Sequence, residues 1–153
     1  MADQYLVMGS DLTGAGLRVR LVELADGSFG VAVPGPRSLT ILANASRTAT
    51  VDSPDQQNLC WRGLHVVIVV AGVTDTPSIV VKIQGKHAGG GYYDLLASAA
   101  ITAAGTYILK VMPWAANVAN VSAADLLPAT WRVRVEHGDA DAIEYAVYAA
   151  LGA

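Results

Sequence analysis

The chain has 153 residues, of which 53% are hydrophobic and only 15% are charged. Ten Lys and Arg residues against thirteen Asp and Glu residues give a net charge of −3, and because the basic residues are scattered they exclude a nucleic-acid footprint. No apolar run approaches the roughly 18–20 residues that cross a bilayer, and the start, MADQYLVMGSD, lacks the features of a signal peptide. We therefore expect the chain to fold in a cytoplasm and to bind no membrane.

The length suits one compact domain with a core and is short for two full domains. Much of the hydrophobic composition is Ala and Val, which predicts surfaces that other chains cover. The single cysteine, Cys60, excludes an intramolecular disulfide and cannot hold a metal alone, so we interpret it as a buried thiol.

The first elements in chain order are two short alternating runs, Leu17–Leu24 and Ser28–Val33, joined at Asp26-Gly27. An Asp-Gly pair between such runs predicts a β-hairpin. Because Gly- and Pro-rich segments flank it, residues 1–36 are predicted to be an N-terminal arm, with the main domain at 37–153. The arm is too small for its own core and is expected to need a partner surface. The arm residues predicted to form that interface are Tyr5, Leu6, Leu12, Leu17, Phe29 and Val31.

From Leu39 onward the apolar residues recur with a period of two, as in SIVVKIQG and WRVRVE, which is typical of half-buried strands. The predicted strands are Leu39–Ala43, Leu64–Ala71, Ser78–Gly85, Tyr92–Ala97, Thr106–Met112, Trp131–Glu136 and Ala142–Ala149. Such strands predict an all-β fold, an antiparallel sandwich of jelly-roll or immunoglobulin-like type or a barrel. The segment ASAAITAAG fits a helical turn or a loop.

The longest predicted connection spans residues 113–130 and contains Trp114, Val118 and Val121. A monomer would leave these apolar side chains wet, which indicates a protein interface. The alternative, equally weighted, is a loop that folds back as a lid over the sandwich.

The segment VEHGDADAIE gathers Glu136, His137, Asp139 and Asp141, which raises the question of a metal site or an acid–base pair. We interpret it as the turn of an antiparallel hairpin between two matched strands, with Asp side chains accepting from turn amides. The metal alternative is disfavoured because the segment lacks the spacing of a calcium loop, and the other histidines sit on separate elements.

Enzyme signatures are also absent from the sequence. No G-x-S-x-G elbow occurs, and KHAGGG lacks the ending of a phosphate-binding loop, so we predict no enzymatic activity and no cofactor. Tyr145 is predicted to pack inside with Ile143 and Val147, which leaves Tyr148 outward. A few exposed aromatic side chains are favoured over a carbohydrate-binding platform.

Residues 45–151 resemble a family of small structural proteins of tailed bacteriophages and prophages. The matching features are Trp61-Arg62-Gly63, the segment Lys82–Lys86 (KIQGK), Tyr93–Leu96 (YDLL), and Leu127-Pro128 leading into Trp131–His137. These features belong to the scaffold, and the resemblance implies no catalytic residue and no metal.

The resemblance implies a virion structural protein, and the first expectation is a capsid decoration (cement) protein on the outer surface of the head. Its expected partners are the major capsid protein and neighbouring copies of itself, in a homo-oligomer for which a trimer is favoured. The arm would reach these partners by strand addition. The alternatives are a tail or baseplate component and a carbohydrate-binding module.

Overall fold

A computed structural model describes residues 36–59 and 61–152, together with three strands nearer the N-terminus at 5–10, 16–23 and 29–31. The chain separates into two compact units, Met1–Gly35 and Pro36–Ala153. The described residues form strands, turns and loops and contain no helix, which confirms the all-β prediction. It follows that no helix in the described part of the chain could span a membrane.

The first unit contains a three-stranded antiparallel sheet of β1 (Tyr5–Ser10), β2 (Gly16–Glu23) and β3 (Phe29–Val31). The predicted hairpin is the β2–β3 pair, with Leu21 opposite Val31. Its expected turn at Asp26-Gly27 lies outside the described residues. The strand β1 was not predicted, because YLVMGS is a continuous apolar run and does not alternate.

The second unit is a sandwich of two sheets. Its strands are β4 (Arg37–Arg47), β5 (Val51–Asp52), β6 (Gln56–Gln57), β7 (Gly63–Val73), β8 (Ile79–Lys86), β9 (Tyr92–Ala97), β10 (Gly105–Val111), β11 (Ser122–Ala123), β12 (Thr130–His137) and β13 (Ile143–Gly152). One sheet, here called the β7 sheet, has the order β11-β10-β7-β13-β4. The other, the β8 sheet, has the order β5-β12-β8-β9, with β6 also paired to β12. The β10–β11 pair is parallel, and the other described pairs are antiparallel.

The core lies between the two sheets, where alternate residues of each long strand meet. On β12 the inward residues Trp131, Val133 and Val135 are fully buried, and on β7 the residues from Leu64 to Val70 alternate in the same way. β-Branched side chains fill such a core well because the pleat holds them perpendicular to the sheet. Tyr145 is fully buried and Tyr148 is exposed, as predicted.

The predicted hairpin between Trp131–Glu136 and Ala142–Ala149 is wrong. β12 lies in the β8 sheet and β13 lies in the β7 sheet, so residues 138–142 cross from one sheet to the other. The two strands share a period because both bury one side in the same core, and a shared period does not require that they pair. The Ala-rich segment forms a loop that is attached to β8 by a bridge between Ile79 and Ile101 and by hydrogen bonds between Ser98 and Val81.

Candidate interaction surface

The loop that follows β10, residues 112–121, presents three exposed apolar side chains and is here called the Trp114 loop. Trp114 is 58% exposed, Val118 is 49% exposed and Val121 is 44% exposed. These are the loop residues that the sequence singled out, and the structure leaves them uncovered within the described part of the chain. A loop that served as a lid over the sandwich would bury them.

Hydrogen bonds within the loop fix its backbone. The Ser122 hydroxyl donates to the Ala116 carbonyl at 2.6 Å, and the Asn117 side chain accepts from the Ala124 amide at 2.7 Å. The loop then returns alongside β10, where the amide of Lys110 donates to the carbonyl of Val121 at 2.9 Å. The exposed side chains therefore stand on an ordered support.

The three residues do not form one continuous patch. Trp114 lies over Gly63, where a Cβ atom would be 3.6 Å from the indole ring, and the Arg62 guanidinium sits 5.9 Å from the ring centroid. Val121 lies elsewhere, in a groove that it lines together with Ile108. Val118 lies close to Val121, because the amide of Val121 donates to the carbonyl of Val118 at 3.1 Å.

The predicted arm residues belong to the first unit. Tyr5 and Leu6 lie on β1, Leu17 lies on β2, and Phe29 and Val31 lie on β3. Leu12 falls outside the described residues. An interface through these residues stays a prediction.

A second apolar surface, which the sequence analysis missed, covers the outer side of the β7 sheet. It is here called the apolar face and consists of Val67, Val69, Ile108, Tyr148 and Ala150. Tyr148 and Ile108 are each 41% exposed, and Val67 stands between them in register. A signal for this surface exists in the run LHVVIVVAGV, where Val67 and Val69, which point away from the core, are also apolar.

The outer side of the β8 sheet is different in kind, because its charged side chains form a closed ring, here called the charged ring. The ring passes through Asp52, Arg134, Glu136, Lys82, Asp94, Gln84 and Arg132 and returns to Asp52. Three cations and three anions alternate around it, with the Gln84 amide as the neutral member. Each charged group therefore has a partner on both sides.

Bonding within the ring favours the charged forms. The hydrogen bond from Lys82 at 2.9 Å is the main cause that lowers the pKa of the Glu136 carboxyl, and Arg134 adds to it. The same bond raises the pKa of Lys82, with Asp94 as its second partner. The ring lies close to solvent, so its individual pairs contribute modestly to stability.

The carboxylates of the 136–141 segment have structural partners. Asp139 accepts from the Asp141 amide at 3.1 Å, within the same connection as predicted. Asp141 instead accepts from the Thr76 amide at 3.2 Å, which belongs to the loop between β7 and β8. Glu136 belongs to the charged ring. Among the described residues, no group of three or more His, Cys, Asp or Glu side chains is placed to hold a metal ion, and Cys60 lies outside those residues.

Two histidines are partly buried, one on each sheet. Burial is the main cause that lowers the pKa of His65, and the neighbouring Lys110 lowers it further. Burial also lowers the pKa of His137, against a raising effect of Asp139. His137 lies beside Tyr145, whose pKa burial raises to about 12.

No protein-family model matches the chain, and no curated protein matches it in sequence. Solved structures do match. The PBSX exported protein XepA aligns over 100% of this chain with a TM-score of 0.54 and 16% identity. The SPBc2 prophage-derived protein YomS aligns over 80% of this chain and 96% of its own, with a TM-score of 0.48 and 14% identity. The structure of infectious bursal disease virus Gx strain aligns over 95% of this chain and 41% of its own, with a TM-score of 0.46 and 12% identity.

The chain thus shares its fold with XepA, and it spans about half the length of that protein. XepA and YomS are phage or prophage proteins. At these identities the likeness is one of fold.

Proposed function

We propose that the protein is a structural component of a phage particle, and that it acts as a decoration protein on the outer surface of the head. The observation that supports this proposal is the Trp114 loop, where three apolar side chains are exposed on a backbone held by its own hydrogen bonds. Apolar side chains on an ordered backbone suit protein binding, because little conformational entropy is lost when they dock.

A phage origin is supported by the fold that the chain shares with XepA. A non-enzymatic role is supported by the partners of the titratable side chains, since the described carboxylates of the 136–141 segment are used in turns and in the charged ring. These features favour a protein whose function is contact with other proteins.

The proposed partners are the major capsid protein and neighbouring copies of this chain. Trp114, Val118 and Val121 would bury their exposed area against the shell, while the arm at residues 1–36 would add a strand to a partner. Burial of one side chain of this size contributes about 1.5–3 kcal/mol. A few such contacts for each copy, multiplied over the many copies on a shell, would resist the internal pressure of packaged DNA.

The test compares phage particles that lack the protein with complete particles. We expect depleted heads to burst at a lower temperature and on milder osmotic shock, and purified protein to restore their resistance. Trp114→Ala and arm-deleted protein should restore less. Leu59→Ala is the matched control, because Leu59 is 77% exposed and lies outside the Trp114 loop.

Two results would contradict the decoration role. Depleted heads as robust as complete heads would remove it, and protein found in isolated tails alone would favour a tail or baseplate component instead. A glycan screen tests the remaining alternative, in which Trp114→Ala or Tyr148→Ala would abolish the binding of a carbohydrate.

A further inference from the structure

The central row of the apolar face of the β7 sheet consists of uncharged residues. This row runs across four strands in register, from Ile108 on β10 through Val67 and Tyr148 to Thr40 on β4. Ile108 and Tyr148 are each 41% exposed, and Val67 is half-buried. A pleated apolar surface of this shape packs well against another sheet of the same kind.

Within the described part of the sandwich, the two outer sides offer different partners. If the outer side of the β8 sheet covered the apolar face, the charged ring would lose its contact with water, and desolvation of charged groups costs free energy. The apolar face itself is a surface of matching chemistry on a second copy of the chain. Contact between identical patches is the rule in two-fold dimers.

Charges at the two ends of the apolar face also complement one another. Lys110 stands at one end, in register with His65, and Glu144 stands at the other end, in register with Gly72. Neither side chain forms an ion pair with a described residue, and the Glu144 carboxylate accepts one hydrogen bond from the side-chain nitrogen of Asn44 at 2.6 Å. Val67 and Val69 lie between the two ends along β7.

We propose that the apolar face is an interface between two copies of the chain, packed face to face about a two-fold axis. An axis in the plane of the interface, midway between Lys110 and Glu144 and perpendicular to the line that joins them, brings each of these residues opposite the other on the second copy. The apolar face then lies at the centre, and two ion pairs form at its ends. This inference goes beyond the proposed function and does not rest on it.

The first experiment measures the mass of the full chain by sedimentation velocity from micromolar to millimolar concentration. We expect a dimer that Tyr148→Ser weakens by at least about tenfold in dissociation constant, because the two-fold axis duplicates each substitution. Tyr93→Ser is the matched control, since Tyr93 is 43% exposed but lies on the β8 sheet. A monomer at every concentration, a trimer, or a dimer equally sensitive to both substitutions would overturn the proposal.

The second experiment tests the two-fold arrangement with charge reversals. Lys110→Glu and Glu144→Lys should each be more monomeric than the unaltered chain, because each brings like charges together twice. An equimolar mixture of the two variants should dimerise again, since a mixed dimer places opposite charges at both ends, and the double variant should recover as well. An unaltered circular dichroism spectrum and a cooperative melt would show that each variant is folded. Failure of the mixture to associate would overturn the arrangement.

Discussion

The two sheets of the sandwich pack on one core, but their outer sides differ, since one is charged and the other is largely apolar. On the β8 sheet the residues that alternate with the core are Lys82, Arg132, Arg134 and Glu136, and the charged ring joins them. On the β7 sheet the corresponding positions include Val67, Val69 and Tyr148, and within the described part of the chain no ring of charges joins them.

The difference shows what each side is suited to contact. Charges that are already paired gain little from a protein partner, so the β8 sheet is suited to face water. An apolar side gains free energy when it is covered, so the β7 sheet is suited to face protein. Matched substitutions on the two sheets test this difference.

The largest effect should come from the inward side, where the two sheets are expected to behave alike. Ile83 on the β8 sheet and Ile68 on the β7 sheet are both fully buried. Ile83→Ala and Ile68→Ala should each lower the free energy of unfolding by about 2–5 kcal/mol, because each leaves a cavity. Chemical denaturation measures both, and a near-zero loss for either one would show that its sheet contributes little to the shared core.

A glycine on each sheet gives the next contrast. A Cβ atom on Gly85 would lie 2.6 Å from the Tyr93 ring and 2.9 Å from the Pro128 ring, whereas one on Gly72 would meet its nearest neighbour, Glu144, at 3.9 Å. Gly85→Ala should therefore cost about 1–3 kcal/mol by overpacking. Gly72→Ala should be close to neutral, and equal losses in thermal melts would contradict this account of Gly85.

A smaller effect is expected when the charged ring is opened. Glu136→Gln should lower the free energy of unfolding by less than about 1 kcal/mol, because the ring is partly exposed to solvent. The folded-state pKa of Glu136 is depressed, so its stabilisation is present above the unfolded value and is lost as pH falls through the folded value. The decrease in the free energy of unfolding caused by Glu136→Gln should therefore be smaller in acid and in high salt.

The matched control for the ring is Glu144→Gln on the β7 sheet, measured at low protein concentration. Glu144 forms no ion pair with a described residue, so its substitution should respond little to salt. If Glu144→Gln responded to salt as strongly as Glu136→Gln, the closed ring would contribute no more salt-dependent stability than a single carboxylate does.

The smallest effect concerns His65 on the β7 sheet. Burial depresses its folded-state pKa below the usual value of 6.5, so the unfolded chain binds more protons as pH falls through that value. The protein should therefore lose stability on mild acidification, and His65→Gln should lose less. Melting temperature against pH measures this, and NMR titration of His65 at or above its usual pKa would contradict it.

The strands could be predicted from the sequence because the alternation of apolar and polar residues is a local property. Trp131–Glu136 and Tyr92–Ala97 match the observed strands to within one residue at each end. The assignment of strands to sheets is non-local, and for that reason the sequence alone predicts a hairpin turn after β12 where the chain crosses to the other sheet. The short strands β5, β6 and β11 have two residues each, too few for any period to show.

The candidate surfaces show the same limit. Trp114 could be found because an apolar residue in a long polar connection stands out by itself. The charged ring could not be found, since it joins Asp52, Glu136 and Asp94 from strands that become neighbours only through the fold. The apolar face could be predicted only in part, because a strand with apolar residues on both sides indicates an apolar outer surface but not the strands that flank it.

The pairing of β4 with β13 has a consequence for how the protein is made. The two strands are joined across 100 positions of sequence, from Asn44 to Glu144, and β13 is the described neighbour of β4 in the sheet. As the ribosome extends the chain, β4 emerges long before its partner exists, and β7 likewise waits for β13 on one side. Pairing at such separation is slow and leaves unpaired strand edges exposed in the nascent chain. A cell that makes many copies at once must therefore hold these edges apart, so yield during overproduction should depend on chaperone supply.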